Sequence, residues 1–108
     1  MKLSEKRCIP CEGGMPAFTK NQVLKYLRKL KPGWKLNGKR IEKSFKFKSF
    51  VQSMGFANQV ALISQAEDHH PEMEISYSKV KIELWTHAVG GLSENDFILA
   101  AKIDQLKS

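Results

Sequence analysis

The chain has no apolar run approaching the roughly 20 residues that a membrane-spanning helix needs. Its opening residues, MKLSEKRCIPCEGG, are basic but lack the apolar stretch of a secretory signal. A soluble, cytoplasmic protein is therefore expected. Cysteine is also scarce, with 2 in 108 residues, both in one Cys8-Ile9-Pro10-Cys11 motif. One such pair supplies half of a four-coordinate zinc site. It also precedes any periodic segment, whereas a thioredoxin-type pair lies between a strand and a helix. A reduced pair in a Gly/Pro-rich lead-in, metal ligation with help from elsewhere, and a disulfide all stay open.

Acids are few in the first half. Residues 1–54 carry 14 Lys and Arg against 3 Asp and Glu, and residues 55–108 carry 4 against 8. Such asymmetry is compatible with an anionic partner. The lysines, however, are scattered over polar positions of several expected elements, and Phe45 and Phe47 fall on an alternating apolar face rather than a base-stacking platform. A solvated surface is the favoured reading, and direct nucleic-acid binding the weaker one. Length suits one compact domain, 1–108, with 1–18 as an irregular lead-in. A domain this small has room for a shallow cleft, completed or not by a partner subunit, rather than a deep enclosed cavity.

Three helices carry start signals. Thr19-Lys-Asn-Gln22 reads as a capping box, followed by Val23, Leu24, Leu27 and Leu30 at helical spacing and ended by Pro32-Gly33. Ser49-Phe-Val-Gln52 repeats the box. Phe50, Met54, Ala57 and Ala61, with Val60 and Ser64 beside them, are expected to form the buried face of a long helix reaching about Glu67. Ser93-Glu-Asn-Asp96 opens the third, with Glu94 and Asp96 in the acid-favouring first turn and Phe97, Ala100, Ala101, Ile103 and Leu106 as its stripe.

Between the helices the period falls to two. Trp34 and Leu36 precede an Asn37-Gly38 turn signal. Ile41, Phe45 and Phe47 alternate with polar residues, with Lys43 interrupting the apolar face. Met73, Ile75 and Tyr77, then Val80, Ile82 and Leu84, form a second hairpin across a short Tyr77-Ser78-Lys79 link. The order α-β-β-α-β-β-α predicts an α+β fold, an antiparallel sheet with helices on one side.

The three histidines invite chemistry. Asp68-His69-His70-Pro71 closes the long helix, and Pro71 biases His70 toward an extended conformation. His87 ends the last strand, on the face of Trp85 and Glu83. Imidazole titrates near neutrality and can give or take a proton, and Glu67, Asp68 or Glu72 can hold it as a cation. Helix-end dipole partners, polar surface, a zinc site and proton-transfer catalysis all fit these residues alone.

The run Glu67-Asp-His-His-Pro-Glu72, then Tyr77-Ser-Lys-Val80, Trp85-Thr-His87 and Gly91-Leu-Ser-Glu-Asn-Asp96, closely resembles the pterin-4a-carbinolamine dehydratase family. The likeness runs from about Thr19 to the C-terminus, and the Cys-x-x-Cys-Glu-Gly-Gly lead-in is similar to that of many members. It implies a four-stranded antiparallel sheet with three helices on one face, assembled as dimers or tetramers. The implied reaction is dehydration of 4a-hydroxytetrahydrobiopterin to quinonoid dihydrobiopterin, in the recycling pathway of aromatic amino acid hydroxylases. His69, His70 and His87 match the catalytic histidines, and Asp68, Glu72, Trp85 and Thr86 are the implied substrate-binding set. The resemblance implies no metal and no cofactor, the pterin being substrate. Some members also serve as dimerisation cofactors of homeodomain transcription factors, through the central helix. The chain departs from the family in having Ala88 where members often carry a carboxylate, and Met73 where many have an aromatic residue.

Overall fold

The computed structural model describes residues 1–10 and 15–106. Cys11 lies outside the described residues, so the expectations for the Cys8–Cys11 pair are followed only at Cys8. Helix α1 spans Lys20–Leu27, strand β1 Lys35–Asn37, β2 Arg40–Lys46, α2 Phe50–Glu67, β3 Glu72–Ser76, β4 Lys79–Leu84 and α3 Glu94–Asp104. The sheet is antiparallel in the order β1-β2-β4-β3, so two hairpins join through β2 and β4. This is the expected α+β architecture.

Alternation places the core. Ile41, Val80, Ile82 and Leu84 are fully buried on one sheet face, against Phe56 and Val60 of α2 and Phe97, Leu99 and Ile103 of α3. The opposite face is a lattice of charges in which Arg40 pairs with Glu83 (3.0 Å) and Lys81 with Glu42 (3.2 Å). Lys43, the interruption in the apolar pattern, stays on the inner face and is neutralised there. Its Nζ lies 2.7 Å from Asp104 Oδ1 at the end of α3, and Trp34 Nε1 donates to Asp104 Oδ2 at 2.9 Å.

Local signals hold with shifts. Thr19 and Gln22 form the full capping box, and Ser93 and Asp96 form another. Ser49 accepts from the Gln52 amide, but the Gln52 side chain reaches Lys48 N–H (2.9 Å) instead of the cap residue. Regular helix in α1 stops at Leu27, earlier than Pro32-Gly33, because the next residues tighten into i→i+3 bonds at Lys29 and Leu30. The first hairpin loop is Gly38-Lys39 rather than Asn37-Gly38. Asn37 still pairs with Arg40, and Gly38 supplies the positive φ of 62°.

The buried face of α2 differs from the expected one. Ser53, Phe56, Ala57, Val60 and Ser64 point inward, while Phe50 and Met54 are exposed, with Val51 and Leu62 at 80% and 74%. The inner stripe sets Phe56 and Val60 among the small Ser53, Ala57 and Ser64, and leaves those other apolar side chains outside. In α3 nearly everything from Asn95 to Ala100 is buried, wider than a single stripe. This helix is central to the core.

Candidate active site

Helix α2 ends at Glu67 because Asp68 takes a left-handed conformation (φ 51°) and breaks the ladder. His69 N–H then bonds Ser64 O (3.2 Å), turning the chain so that the His69 ring comes back over the start of α3. There its Nε2 meets Asp96 Oδ1 at 2.7 Å. Asp96 is fully buried and accepts two further bonds at Oδ2, from Thr86 Oγ1 (2.8 Å) and Ser93 N–H (3.0 Å). Thr86 in turn lies 2.8 Å from Ser93 Oγ. The β4-to-α3 connection is closed by Thr86 N–H to Gly91 O at 2.7 Å, a tight loop that uses the positive φ of Gly90 (68°). Sequence alternation, one turn and one helix cap thus bring a buried carboxylate to a histidine 27 residues away.

A carboxylate that faces three donors acts as acceptor throughout, so the bond assigns the His69 proton to Nε2 and leaves Nδ1 as the ring nitrogen able to exchange one. An acid oriented this way also stabilises the imidazolium that forms when Nδ1 is protonated. His69 borders a cleft of about 470 Å³, within the size range of small-molecule sites. Asp68 and Ala88 share its lining, and Cys8, Ile9 and Pro10 form the facing wall.

The other expected residues fall into two places. Trp85, the residue after β4, packs on His87 (ring centroids 4.6 Å) and carries the Arg40 guanidinium over its own ring at 4.0 Å. Glu72 belongs to this second group through Arg40 (3.6 Å). His87 does not end the strand as expected: β4 stops at Leu84, and His87 is exposed in a short 3-10 turn, His87–Val89, whose Ala88 lines the cleft while His87 does not. His70 is exposed, with Nε2 3.4 Å from Gln65 Oε1. Among the described residues no three His, Cys, Asp or Glu are placed to hold a metal ion.

The carboxylate partner of the histidine pair is a correction. Neither Glu67, Asp68 nor Glu72 holds an imidazole. Glu67 Oε1 accepts the Cys8 amide (2.7 Å) and its Oε2 lies 3.8 Å from Lys102, Asp68 is exposed at the helix end, and Glu72 faces Arg40. The distant Asp96 has the role instead. In the sequence it stood out as the fourth position of a capping box and the end of the family-like Gly91–Asp96 run, with no sign of a histidine partner. A second cleft of about 400 Å³ lies between the N-terminal segment and the ends of α1 and α3, but its lining, in which Lys2, Lys6, Lys29 and Lys31 are joined by Asp104 and Gln105, includes no histidine.

An α+β domain that presents a carboxylate-held histidine at a cleft defines a class of acid–base site. Residues 16–106 match the family described as Pterin 4 alpha carbinolamine dehydratase, and the chain belongs to that family. A protein of Nitrosospira multiformis, provisionally named a pterin-4-alpha-carbinolamine dehydratase, is 52% identical over 96% of this chain and 91% of its own length. One of Nitrosomonas eutropha with the same provisional name is 49% identical over 96% and 92%. The crystal structure of a transcriptional coactivator/pterin dehydratase from Brucella melitensis superposes with a TM-score of 0.75 at 38% identity, over 81% of this chain and 94% of that one. A pterin dehydratase-like protein identified as a RuBisCO assembly factor in the alpha-carboxysome gives 0.58 at 28%, over 67% and 86%. Among the described residues no helix is long and apolar enough to cross a membrane.

Proposed function

We propose that this protein dehydrates 4a-hydroxytetrahydropterins, 4a-hydroxytetrahydrobiopterin among them, to the quinonoid dihydropterin. The observation that carries the reading is the Asp96–His69 bond at the edge of the cleft, in a chain of this family. The reaction breaks the C4a–O and N5–H bonds, forms C4a=N5 and releases water. An acid must protonate the departing hydroxyl while a base accepts the N5 proton. His69, its Nε2–H anchored on Asp96, is suited to deliver the proton from Nδ1. His87, exposed and packed against the Trp85 ring, is suited to hold or deprotonate the ring of the substrate, and His70 to assist either step. Asp68 lines the cleft with His69, and Thr86 acts through Asp96 rather than by touching substrate. This role in pterin recycling needs no resident cofactor.

The test is the decay of a freshly generated 4a-hydroxytetrahydropterin, followed by absorbance with and without pure protein. Acceleration that disappears in a His69→Ala/His70→Ala variant supports the reading. No acceleration, or full activity in that variant, ends it.

A second reading, protein binding through α2 as a homo-oligomer or as a transcription-factor cofactor, is favoured by the exposed Phe50, Val51 and Leu62. A patch of apolar side chains on one helix fits an interface better than bulk water. Sedimentation of the wild type and of Val51→Glu/Leu62→Glu checks it. A monomeric wild type that retains no partner would remove this reading without touching the enzymatic one.

A further inference from the structure

The matched family region begins at residue 16, yet the preceding segment is bound to the site. Leu3 is buried, Lys102 Nζ donates to Ser4 O (2.9 Å), and Gln105 Nε2 to Ser4 Oγ (3.0 Å). The segment then crosses from α3 to the end of α2. Cys8 N–H donates to Glu67 Oε1 at 2.7 Å, and Glu67 stands two residues before His69. Ile9 N–H donates to Asn95 Oδ1 (3.0 Å) while Asn95 Nδ2 donates back to Ile9 O (2.6 Å), and Asn95 is next to Asp96. Cys8 Sγ lies 3.5 Å from Asn95 O.

These contacts fall on the two elements that supply the halves of the His69–Asp96 bond. The His69 ring comes from a chain turning out of a helix, and only packing and hydrogen bonds fix where that turn points. Asp96 comes from the first turn of α3. A segment hydrogen-bonded to residue 67 on one side and residue 95 on the other ties those ends together across the cleft. Its Cys8, Ile9 and Pro10 are at the same time the wall facing His69. Partial burial, with the nearby Glu67 carboxylate, pushes the Cys8 thiol up to about 12, so it sits there as a neutral filler.

We infer that residues 8–10 are a brace that holds the His69–Asp96 couple in register, which makes Asn95 and Glu67 positioning residues for His69. The mechanism rests on the dehydratase reading only for its kinetic consequence. The geometric part, a fixed His69 ring, does not depend on the substrate.

The experiment therefore has two readouts in the full chain, steady-state dehydratase kinetics and the NMR resonances of the His69 ring. Asn95→Ala removes both bonds to Ile9. Ile9→Pro removes the Ile9 N–H and leaves α3 unchanged, which guards against a helix that fails to fold. Gln105→Ala breaks only the distant contact to Ser4 and is the control. Small displacements of a catalytic group are costly, so Asn95→Ala and Ile9→Pro are expected to lower kcat about tenfold with KM within about twofold. The His69 ring signals should shift or broaden in both, and Gln105→Ala should match wild type. Wild-type kcat with unchanged His69 resonances in the two brace variants overturns the inference, as does an equal effect of Gln105→Ala. If the wild type has no dehydratase activity the proposed function fails, and the His69 resonances alone still decide the brace.

Discussion

Helix α3 carries two buried carboxylates, and they are put to different uses. Asp104, at the C-terminal end, faces the Lys43 ammonium and the Trp34 indole N–H, two donors with no acceptor capacity. Asp96, in the first turn, faces a threonine hydroxyl, a backbone amide and His69. Position on the helix adds to the contrast, since the N-terminal dipole favours Asp96 and the C-terminal dipole opposes Asp104 until Lys43 offsets it. Both are held by hydrogen bonds, but only Asp96 holds an imidazole, that of His69 in the lining of the 470 Å³ cleft, whereas Asp104 lines the other cleft. What separates the two buried acids is the partner each one holds.

The sharpest way to break this contrast is to remove Lys43. Its side chain is 14% exposed and that of Asp104 3%, so Lys43→Ala strands a buried carboxylate and should cost about 3–5 kcal/mol in urea unfolding. The double variant Lys43→Met/Asp104→Leu should recover much of that, because an apolar pair of similar size avoids desolvating two charges. Dehydratase turnover per folded molecule should stay near wild type in both. A large loss of turnover in the double variant would show that Asp104 is not merely structural.

On the other side of the comparison, His69→Ala should lower kcat on the order of 10²-fold, the usual scale for a positioned acid or base. Its stability should change far less than that of Lys43→Ala. Asp96→Asn sharpens the point. An amide can still accept from His69, but its NH2 must confront either the Ser93 amide or the His69 donor. A kcat loss of about tenfold, with KM nearly constant, is expected beside a stability loss of about 1–3 kcal/mol from the mispaired buried group. Unchanged kcat in Asp96→Asn would detach the carboxylate from the chemistry.

How legible these two sites were from sequence depends on how local their signals are. Strand alternation placed Val80, Ile82 and Leu84, and the boxes at Thr19 and Ser93 placed two helix starts, since each pattern is complete within a few residues. The face of α2 was read correctly at Ala57, Val60 and Ser64 but misplaced at its start, where hydropathy favoured Phe50 and Met54 over the buried Ser53. The histidines were found as residue types. Their carboxylate was assigned to the neighbouring Glu67, Asp68 or Glu72, because nothing in a linear pattern shows that a left-handed Asp68 turns His69 toward a helix start 27 residues on. Lys43 was visible only as an error in an apolar strand, and its partner Asp104 is 61 residues away.

A third acid of the same helix gives the smallest expected effect and completes the series. Glu94 is about one-third exposed and holds Lys6 at 2.9 Å and the Tyr26 hydroxyl at 3.1 Å. The hydrogen bond from Lys6, with that from Tyr26, keeps its carboxyl below the ordinary 4.5 despite partial burial. The folded protein therefore binds this proton less tightly than the unfolded chain. The stability so gained is present above about pH 4.5 and is lost as pH falls through the lowered value in the fold. Glu94→Gln should thus melt slightly below wild type at pH 7, by less than any variant above, and the gap should close in acid and shrink with added salt. Thermal melts at pH 7 and pH 3 measure it. A gap that persists unchanged at pH 3 would mean that Glu94 acts through packing, and that exposure on this helix does not separate weak acids from strong ones.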